Sequence, residues 1–142
     1  MTIAAILKDK GSAVATIDGN APVAEAVNLL GERRIGALPV IESGQVVGIM
    51  SERDLIYCLR SNGADVLDWP VSRVMTAPAI TADSQTPVLS ALALMTRQRI
   101  RHLPVVEGEQ LIGIVSIGDL VKHRMDRIEA EAEAMRSYIQ GA

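Results

Sequence analysis

Apolar residues fall into helical spacing twice along the chain, and each time the same succession of shorter apolar runs comes next. The helical stretches begin at Pro22 and Pro87, residues suited to a first helical position. Each stretch is followed by two apolar runs around a glycine-bearing turn, which predicts a β-hairpin. The predicted hairpin strands are Ala37–Ile41 with Val46–Met50, and His102–Val106 with Leu111–Val115.

A short strand before the helix and a second helix after the hairpin complete each predicted unit. The leading strands are predicted at Val14–Ile17 and Ala79–Thr81, and the closing helices begin at Ser51 and Ser116. The order strand, helix, strand, strand, helix defines an α+β unit made twice. We expect the two units to pack as a pseudo-two-fold pair.

The two units are copies of one sequence, related by a shift of 65 residues. With that shift Val14–Leu55 aligns on Ala79–Leu120 without a gap, and about 18 of the 42 aligned positions are identical. A unit of this size is marginal alone, so the copies are expected to bury apolar faces against each other.

The repeat divides the chain into four predicted segments. They are a first unit with a lead-in helix at 1–62, a connector at 63–76, a second unit at 77–123 and a C-terminal helix at 124–142. In the connector, Trp69 is predicted to be a packing anchor, and Val71–Val74 to form a short helical turn.

The C-terminal segment 121–140 has apolar residues three and four positions apart, which predicts a long amphipathic helix. Those residues are Val121, Met125, Ile128, Ala132, Met135 and Ile139. Such a helix packs on its own domain alone, or also meets a second subunit or a partner protein, and its length favours the second alternative.

Each unit contains one motif with chemical content at its last strand-to-helix junction. Gly48 is followed three residues later by Ser51 and then by Asp54, and the second copy repeats this pattern from Gly113 to Asp119. Ser-x-x-Asp resembles a capping box, in which the serine and the acid satisfy helix N–H groups. A helix N-terminus also attracts phosphate, and an acid can hold ribose hydroxyls. Capping alone does not require the glycine, which lets another group approach the strand closely.

The paired motif and the repeated Leu-Pro-Val strand, at Leu38 and Leu103, resemble the tandem CBS (cystathionine-β-synthase) domain pair, or Bateman module, over about residues 3–123. The resemblance implies adenosine-containing ligands (AMP, ADP, ATP, NAD or S-adenosylmethionine) in two clefts between the copies. It also implies disc-shaped dimers. Asp54 and Asp119 are expected to hold ribose, and Ser51 and Ser116 to meet phosphate.

The same resemblance assigns the strand residues around the adenine. One set is Val14, Thr16, Ile35, Ala37 and Pro39, and the other is Ile80, Thr81, Ile100, His102 and Pro104. Gly36 and Arg101 are further ligand-binding candidates beside these strands. The motifs also differ, since Glu52 and Arg53 of the first copy stand where the second has Ile117 and Gly118.

These differences predict two unequal sites. Arg101 and His102 add charge or hydrogen-bonding capacity, and Arg53 is expected to cross the cleft to a phosphate in the site of the second copy. The alternative for Arg53 is a surface ion pair with Glu52 or Asp54. The site of the second copy is therefore expected to be the tighter one.

Composition narrows the function classes. A net charge of −3 and a pI near 5.4 argue against nucleic-acid partners. The aromatic content of 2 % offers no stacking platform for bases. The lone Cys58 suits a reducing compartment, and the apolar run Ile3–Leu7 is too short for a membrane span, so we expect a cytoplasmic protein.

The expected function is a stand-alone adenine-nucleotide sensor that forms a homodimer and regulates an unidentified partner. A dimerisation scaffold with vestigial sites is the second alternative. An enzyme that uses the nucleotide is less favoured, because the chain lacks a nucleophile–base pair or a Walker loop. His102 and His123 form no metal-ligand cluster, and no catalytic cofactor is expected.

Overall fold

The predicted order of elements, except for the leading strand of the second copy, is present in the computed structural model of the protein, which describes residues 1–141. The helices are α1 (Ile3–Lys10), α2 (Val23–Arg33), α3 (Glu52–Asn62), α4 (Val71–Val74), α5 (Val88–Gln98) and α6 (Ile117–Gly141). The strands are β1 (Ile17–Asp18), β2 (Ala37–Glu42), β3 (Gln45–Ser51), β4 (His102–Glu107) and β5 (Gln110–Ser116). A 3₁₀ helix spans Gly63–Asp68. The α+β class is confirmed.

The two hairpins are structural copies of each other. Ala37 pairs with Ser51 in the antiparallel β2–β3 ladder, and His102 pairs with Ser116 in β4–β5, which is the same register after the shift of 65. Both ladders have an irregularity at the same repeat position. The predicted strands are correct to within one residue at each end.

The leading strands are shorter than predicted. β1 comprises only Ile17 and Asp18, which pair in parallel with Val40 and Ile41. In the second copy the strand expected at 79–81 is absent, and Ala82 makes a single parallel bridge to β4. The parallel ladder cannot extend to the preceding residues, because its next hydrogen bond would need an N–H from Pro39 in β2 or from Pro104 in β4.

Proline and arginine set the ends of the first helix in each copy. Pro22 and Pro87 are N-cap residues with extended backbone, so α2 and α5 begin one residue later than predicted. Both helices end at a left-handed arginine, Arg34 with φ 52° and Arg99 with φ 55°. The turn after each arginine is equivalent in the two copies. It places residues 35–37 beside the end of α2 and residues 100–102 beside the end of α5.

The apolar residues form two separate cores. Each core includes the short helix that precedes the other unit in the sequence. Ile3 and Ile6 of α1 pack in the core of the second unit. Val71 and Val74 of α4 pack in the core of the first unit, with Trp69 against it. The helical turn at 71–74 is confirmed. α1, which was grouped with the first unit at 1–62, packs on the second unit, because its apolar side chains join the second core and contact β5 and α6 there.

The long C-terminal helix is confirmed, and α6 is continuous from Ile117 to Gly141. Its buried residue is Leu120, and the apolar side chains beyond it are exposed, with Met125, Met135 and Ile139 each above 60 %. The stripe therefore does not pack on its own domain. Within residues 1–141, no helix is both long enough and apolar enough to cross a membrane.

Candidate functional site

Both Ser-x-x-Asp motifs are capping boxes. Ser51 Oγ accepts a hydrogen bond from the Asp54 backbone N–H at 3.1 Å, and the Asp54 carboxylate accepts one from the Ser51 N–H at 3.0 Å. Ser116 and Asp119 repeat this arrangement at 3.1 and 2.8 Å. The capping interpretation is confirmed for both copies, and it fixes each serine and acid at a helix N-terminus, where N–H groups and the helix dipole favour an anion.

The glycine of each motif accommodates a close approach by the protein itself. A Cβ atom on Gly48 would lie 2.8 Å from the Thr76 carbonyl oxygen, and one on Gly113 would lie 2.6 Å from Leu7 Cδ2. Thr76 makes two backbone hydrogen bonds with Ile49, and its hydroxyl donates to Asp54 Oδ1 at 3.0 Å. The glycine therefore lets the connector lie along β3 and reach the acid.

A first cavity, here called the Asp54 cleft, has a volume of about 210 Å³ and lies between the two copies. Its lining comprises Gly36, Ile49, Ser51, Glu52, Arg53, Asp54, Thr76, Pro78, Ile80, Arg99, Ile100, Arg101 and His102. The Ser/Asp motif of the first copy thus faces strand and turn residues of the second.

A second cavity, here called the Lys10 cleft, has a volume of about 460 Å³ and is the reciprocal arrangement. Its lining comprises Lys10, Ala13, Val14, Ala15, Arg33, Arg34, Ile35, Gly36, Ala37, His102, Ile114 and Ser116. Here the serine of the second copy faces residues of the first, together with three cationic side chains.

The reciprocal pairing revises the expected division of the sites. Arg53, Arg101 and His102 lie together in one cleft, as expected. The motif acid in that cleft is Asp54 of the first copy, whereas these residues were expected at the tighter site, that of the second copy. Arg53 crosses to the second copy, where its guanidinium approaches the Arg99 carbonyl at 3.5 Å. Among residues 1–141 it makes no ion pair with Glu52 or Asp54.

Several residues expected in the sites lie outside both linings. They are Thr16, Pro39, Thr81, Pro104, Ile117, Gly118 and Asp119. The two prolines are buried within β2 and β4, and Ile117 packs against the second core. Alignment of the two copies identifies equivalent residues. It does not show which of their side chains are buried in the core and which face a cleft.

Asp119 is covered because Lys10 lies on it. Lys10 Nζ is 2.6 Å from Asp119 Oδ2 and 2.9 Å from the Ile114 carbonyl oxygen, to which it also donates. Burial raises the pKa of Asp119, but hydrogen bonds from Lys10 and Ser116 and the lysine charge outweigh burial and hold that pKa below its ordinary value. Among residues 1–141, Asp54 makes no ion pair, and it lines its cleft directly.

His102 stands between the two clefts and lines both. Burial, the strongest influence, lowers the pKa of His102; Glu52 and Asp119 raise it, Lys10 and Arg101 lower it, and the net shift is downward. The imidazole is therefore neutral at pH 7 and contributes hydrogen-bonding capacity rather than charge. Among residues 1–141, no cluster of His, Cys, Asp and Glu is arranged to hold a metal ion.

The ion pair predicts a pH-dependent contribution to stability that Lys10→Met removes. Because the pKa of folded Asp119 is below its unfolded value near 3.8, the pair stabilises the fold above that pH, and the contribution is lost as pH falls through the folded pKa. We expect Lys10→Met to cost at most about 1 kcal/mol at pH 7, given the partial exposure of the pair. The difference from wild type should shrink below about pH 4 in urea unfolding.

Lys8→Met is the matched control, since Lys8 is an exposed lysine on the same helix. If both variants showed the same dependence of the unfolding free energy on pH, the Lys10–Asp119 pair would not be the source.

Among the cleft residues that were missed as site residues from the sequence, four are cationic: Lys10, Arg33, Arg34 and Arg99. The repeat held a signal for two of them, because Arg34 and Arg99 are equivalent positions next to the predicted adenine strands. Lys10 had no such signal, since it meets its partner across 109 residues of sequence.

The chain belongs to the CBS domain family, whose sequence pattern matches residues 11–61 and 71–126. A solved structure of a CBS-domain containing protein from Agrobacterium tumefaciens is 36% identical, has a TM-score of 0.84, and is matched over 87% of this chain and 99% of that one. Both copies of the repeat fall within these matches.

Two further similar structures contain adenosine ligands. The CBS domain pair of protein MJ0100, in complex with 5-methylthioadenosine and S-adenosyl-L-methionine, is 26% identical, with a TM-score of 0.79, over 89% of this chain and 98% of that one. CBSX2 in complex with AMP is 27% identical, with a TM-score of 0.69, over 80% of this chain and 88% of that one.

Proposed function

We propose that the protein is a non-catalytic sensor of adenine nucleotides, built from CBS units at 1–62 and 77–123, that binds ligand in the Asp54 and Lys10 clefts. The observation behind this proposal is that each cleft joins a motif serine at a helix N-terminus to strand residues and arginines of the other copy. Similar CBS pairs in complex with AMP and with S-adenosylmethionine support adenosine as the common ligand group. The single cysteine supports a reducing, cytoplasmic setting.

In the Asp54 cleft, the proposal places the ribose on Asp54 and the phosphate near Ser51 and Arg53. The carboxylate has about four acceptor positions, of which the Ser51 N–H, the Ser51 hydroxyl and the Thr76 hydroxyl occupy three. Rotation of the Thr76 hydroxyl frees another, so that both ribose hydroxyls find an acceptor. The adenine then lies against Ile80 and Ile100.

The Lys10 cleft is proposed to be the weaker ribose site. Asp119 lies beneath Lys10, so a ribose reaches its carboxylate only when the ammonium group gives way. The cleft nevertheless contains Lys10, Arg33 and Arg34, which favour an anionic ligand. The two sites are therefore expected to differ in preference, with ribose contacts dominant in one and charge in the other.

Signalling in this proposal follows from the position of the clefts. Each ligand bridges both copies, so binding favours the arrangement of the copies in which the cleft fits the ligand best. Such a shift requires that two arrangements differ in affinity for the nucleotide. A homodimer, formed through the CBS units and α6, is proposed to pass that change to a regulated partner.

Isothermal titration calorimetry of the full chain against AMP, ADP, ATP, NAD, NADH and S-adenosylmethionine tests the proposal. We expect micromolar binding of at least one of these ligands, with AMP preferred over its 2′-deoxy analogue. Inosine monophosphate is the control for the base, because it replaces the adenine amino group. If none of the adenosine ligands bound while the chain remained folded, the sensor proposal would be wrong, and a dimerisation scaffold would remain.

A further inference from the structure

The exposed stripe of α6 has a strict heptad spacing. Its apolar residues are Val121, Met125, Ile128, Ala132, Met135 and Ile139, at intervals of four, three, four, three and four. Intervals that average 3.5 residues keep one seam facing a partner helix, and they are typical of left-handed coiled coils. In heptad terms Val121, Ile128 and Met135 are d positions, and the other three are a positions.

Within residues 1–141, these side chains belong to neither apolar core and are exposed. Relative exposure is 42 % at Val121, 50 % at Ile128 and more than 60 % at both methionines of the seam. The helix touches its own unit along a neighbouring side, where Leu120 is buried. The seam is thus available over about five turns to a second helix.

The charges beside the seam distinguish the direction of that second helix. In a parallel pair each g position faces the following e position of the partner helix. Arg124 at g would then face Glu129 of the second copy, and Glu131 at g would face Arg136. Both contacts are attractive, and each of them occurs twice in a symmetric dimer.

An antiparallel pair centred on the same seam places like charges together. Its apolar layers would pair Met125 with Met135 of the other helix. Glu131 would face a second Glu131, Glu129 a second Glu129, and Lys122 would face Arg136. Every charged contact of this arrangement except that of Arg124, which would meet Tyr138, is repulsive.

The intrahelical ion pairs do not prevent the parallel contacts. Glu131 is held by Arg127 at 3.3 Å and Arg136 by Glu133 at 2.7 Å, all with side chains at least 41 % exposed. Exposed pairs of this kind contribute little and rearrange readily. A carboxylate also accepts from two cations at once, so that an interhelical contact can add to the existing one.

From this pattern we propose that α6 forms a parallel, in-register two-stranded coiled coil with the α6 of a second copy of this chain. The inference rests on the proposed homodimer and specifies its geometry. A parallel pair places the CBS units of both chains at the same end of the coiled coil, related by a two-fold axis along it. The seam spans fewer than three heptads, so contacts between the CBS units of the two chains are also needed to stabilise the dimer.

Disulfide trapping of the full-length protein tests the direction of the pair. In a Cys58→Ser background, Met135→Cys places each thiol opposite its own copy in a parallel pair, within disulfide reach. We expect mild oxidation to yield a linked dimer at least tenfold faster than Ala130→Cys, whose f position points away from the seam. A mixture of Met125→Cys and Met135→Cys chains that linked to each other, while Met135→Cys alone did not, would overturn the parallel arrangement.

Charge exchange provides a second, cysteine-free measurement. Arg136→Glu places two acids together in a parallel pair, and we expect it to weaken the dimer about tenfold. Adding Glu131→Arg restores the attraction, and the double variant should regain most of the loss. Arg127→Glu makes the same charge change off the seam and should leave the dimer near wild type. An Arg136→Glu variant that dimerised more tightly would indicate the antiparallel pair.

Light scattering of the same proteins separates the failure of this inference from that of the function. A dimer mass with no preferential cross-linking at position 135 would overturn the coiled coil and leave a dimer formed by the CBS units. A mass of 15.2 kDa at all concentrations would overturn both the coiled coil and the homodimer. Nucleotide binding in calorimetry is independent of either result.

Discussion

Asp54→Ala should reduce the affinity of the Asp54 cleft for AMP by about 10- to 100-fold. The carboxylate lines the cleft directly and is proposed to accept hydrogen bonds from both ribose hydroxyls. Charge-assisted hydrogen bonds of this kind contribute roughly 1.5–3 kcal/mol, which corresponds to that loss. Calorimetric titration of the folded variant gives the measurement, and the lost cap costs only about 1 kcal/mol of stability, so the fold should survive.

Asp119→Ala is the control at the equivalent position of the repeat. It also removes a capping-box acid, but Asp119 is covered by Lys10. The Asp54 cleft, the tighter of the two proposed sites, should therefore keep its affinity for AMP within about twofold. The 2′-deoxy analogue adds a test in which the protein is unchanged. Wild type should discriminate against it, and Asp54→Ala should discriminate much less. A variant that retained the full preference for ribose would show that Asp54 only caps α3.

Gly48→Ala should destabilise the fold by about 1–3 kcal/mol. The added Cβ would lie 2.8 Å from the Thr76 carbonyl oxygen and 2.7 Å from Met75 Sδ. The backbone oxygen cannot move without breaking the two hydrogen bonds, each 2.9 Å long, that join Thr76 to Ile49. Thermal unfolding followed by circular dichroism should show a decrease of several degrees in Tm.

Two other glycines provide the comparison for this result. The atoms nearest to a Cβ on Gly113 belong to the Leu7 side chain, which can rotate, so Gly113→Ala should cost less than Gly48→Ala. Gly31 lies within α2, and its added Cβ would have no atom within 4 Å apart from the nearby backbone of its own helix, so Gly31→Ala should stabilise the fold by about 0.5–1 kcal/mol. Equal stability of Gly48→Ala and wild type would mean that the connector is free to move away from β3.

The elements of the fold were predictable because their signals are local and occur twice. The turn between Ala37–Glu42 and Gln45–Ser51 has the positive-φ pair Ser43 and Gly44, which suits a two-residue hairpin. The helix after each hairpin begins with a capping box that can be read from four residues. The leading strands were overestimated because pairing with β2 or β4, which is not local, decides their length.

The motifs of the candidate site were predictable from the sequence, but the way in which the two copies bring them together was not. Ser51 and Asp54 were identified from their spacing, and Arg53 was expected to cross to the other copy. The choice of which strand faces which motif depends on how the units pack, and no local pattern encodes it. The same holds for Lys10, whose position over Asp119 results from the packing of α1 on the second unit.

The exchange of lead-in helices makes the two repeats inseparable. Ile3 donates its N–H to Thr86 in the second unit, and Val71 makes the equivalent bond to Ala21 in the first. A chain cut before Val71 would leave each half without the helix that closes its core. A solitary ancestor of this repeat would have needed to trade that helix with another molecule of itself, as domain-swapped dimers do. Fusion of two such genes would then have turned an exchange between molecules into one within a single chain.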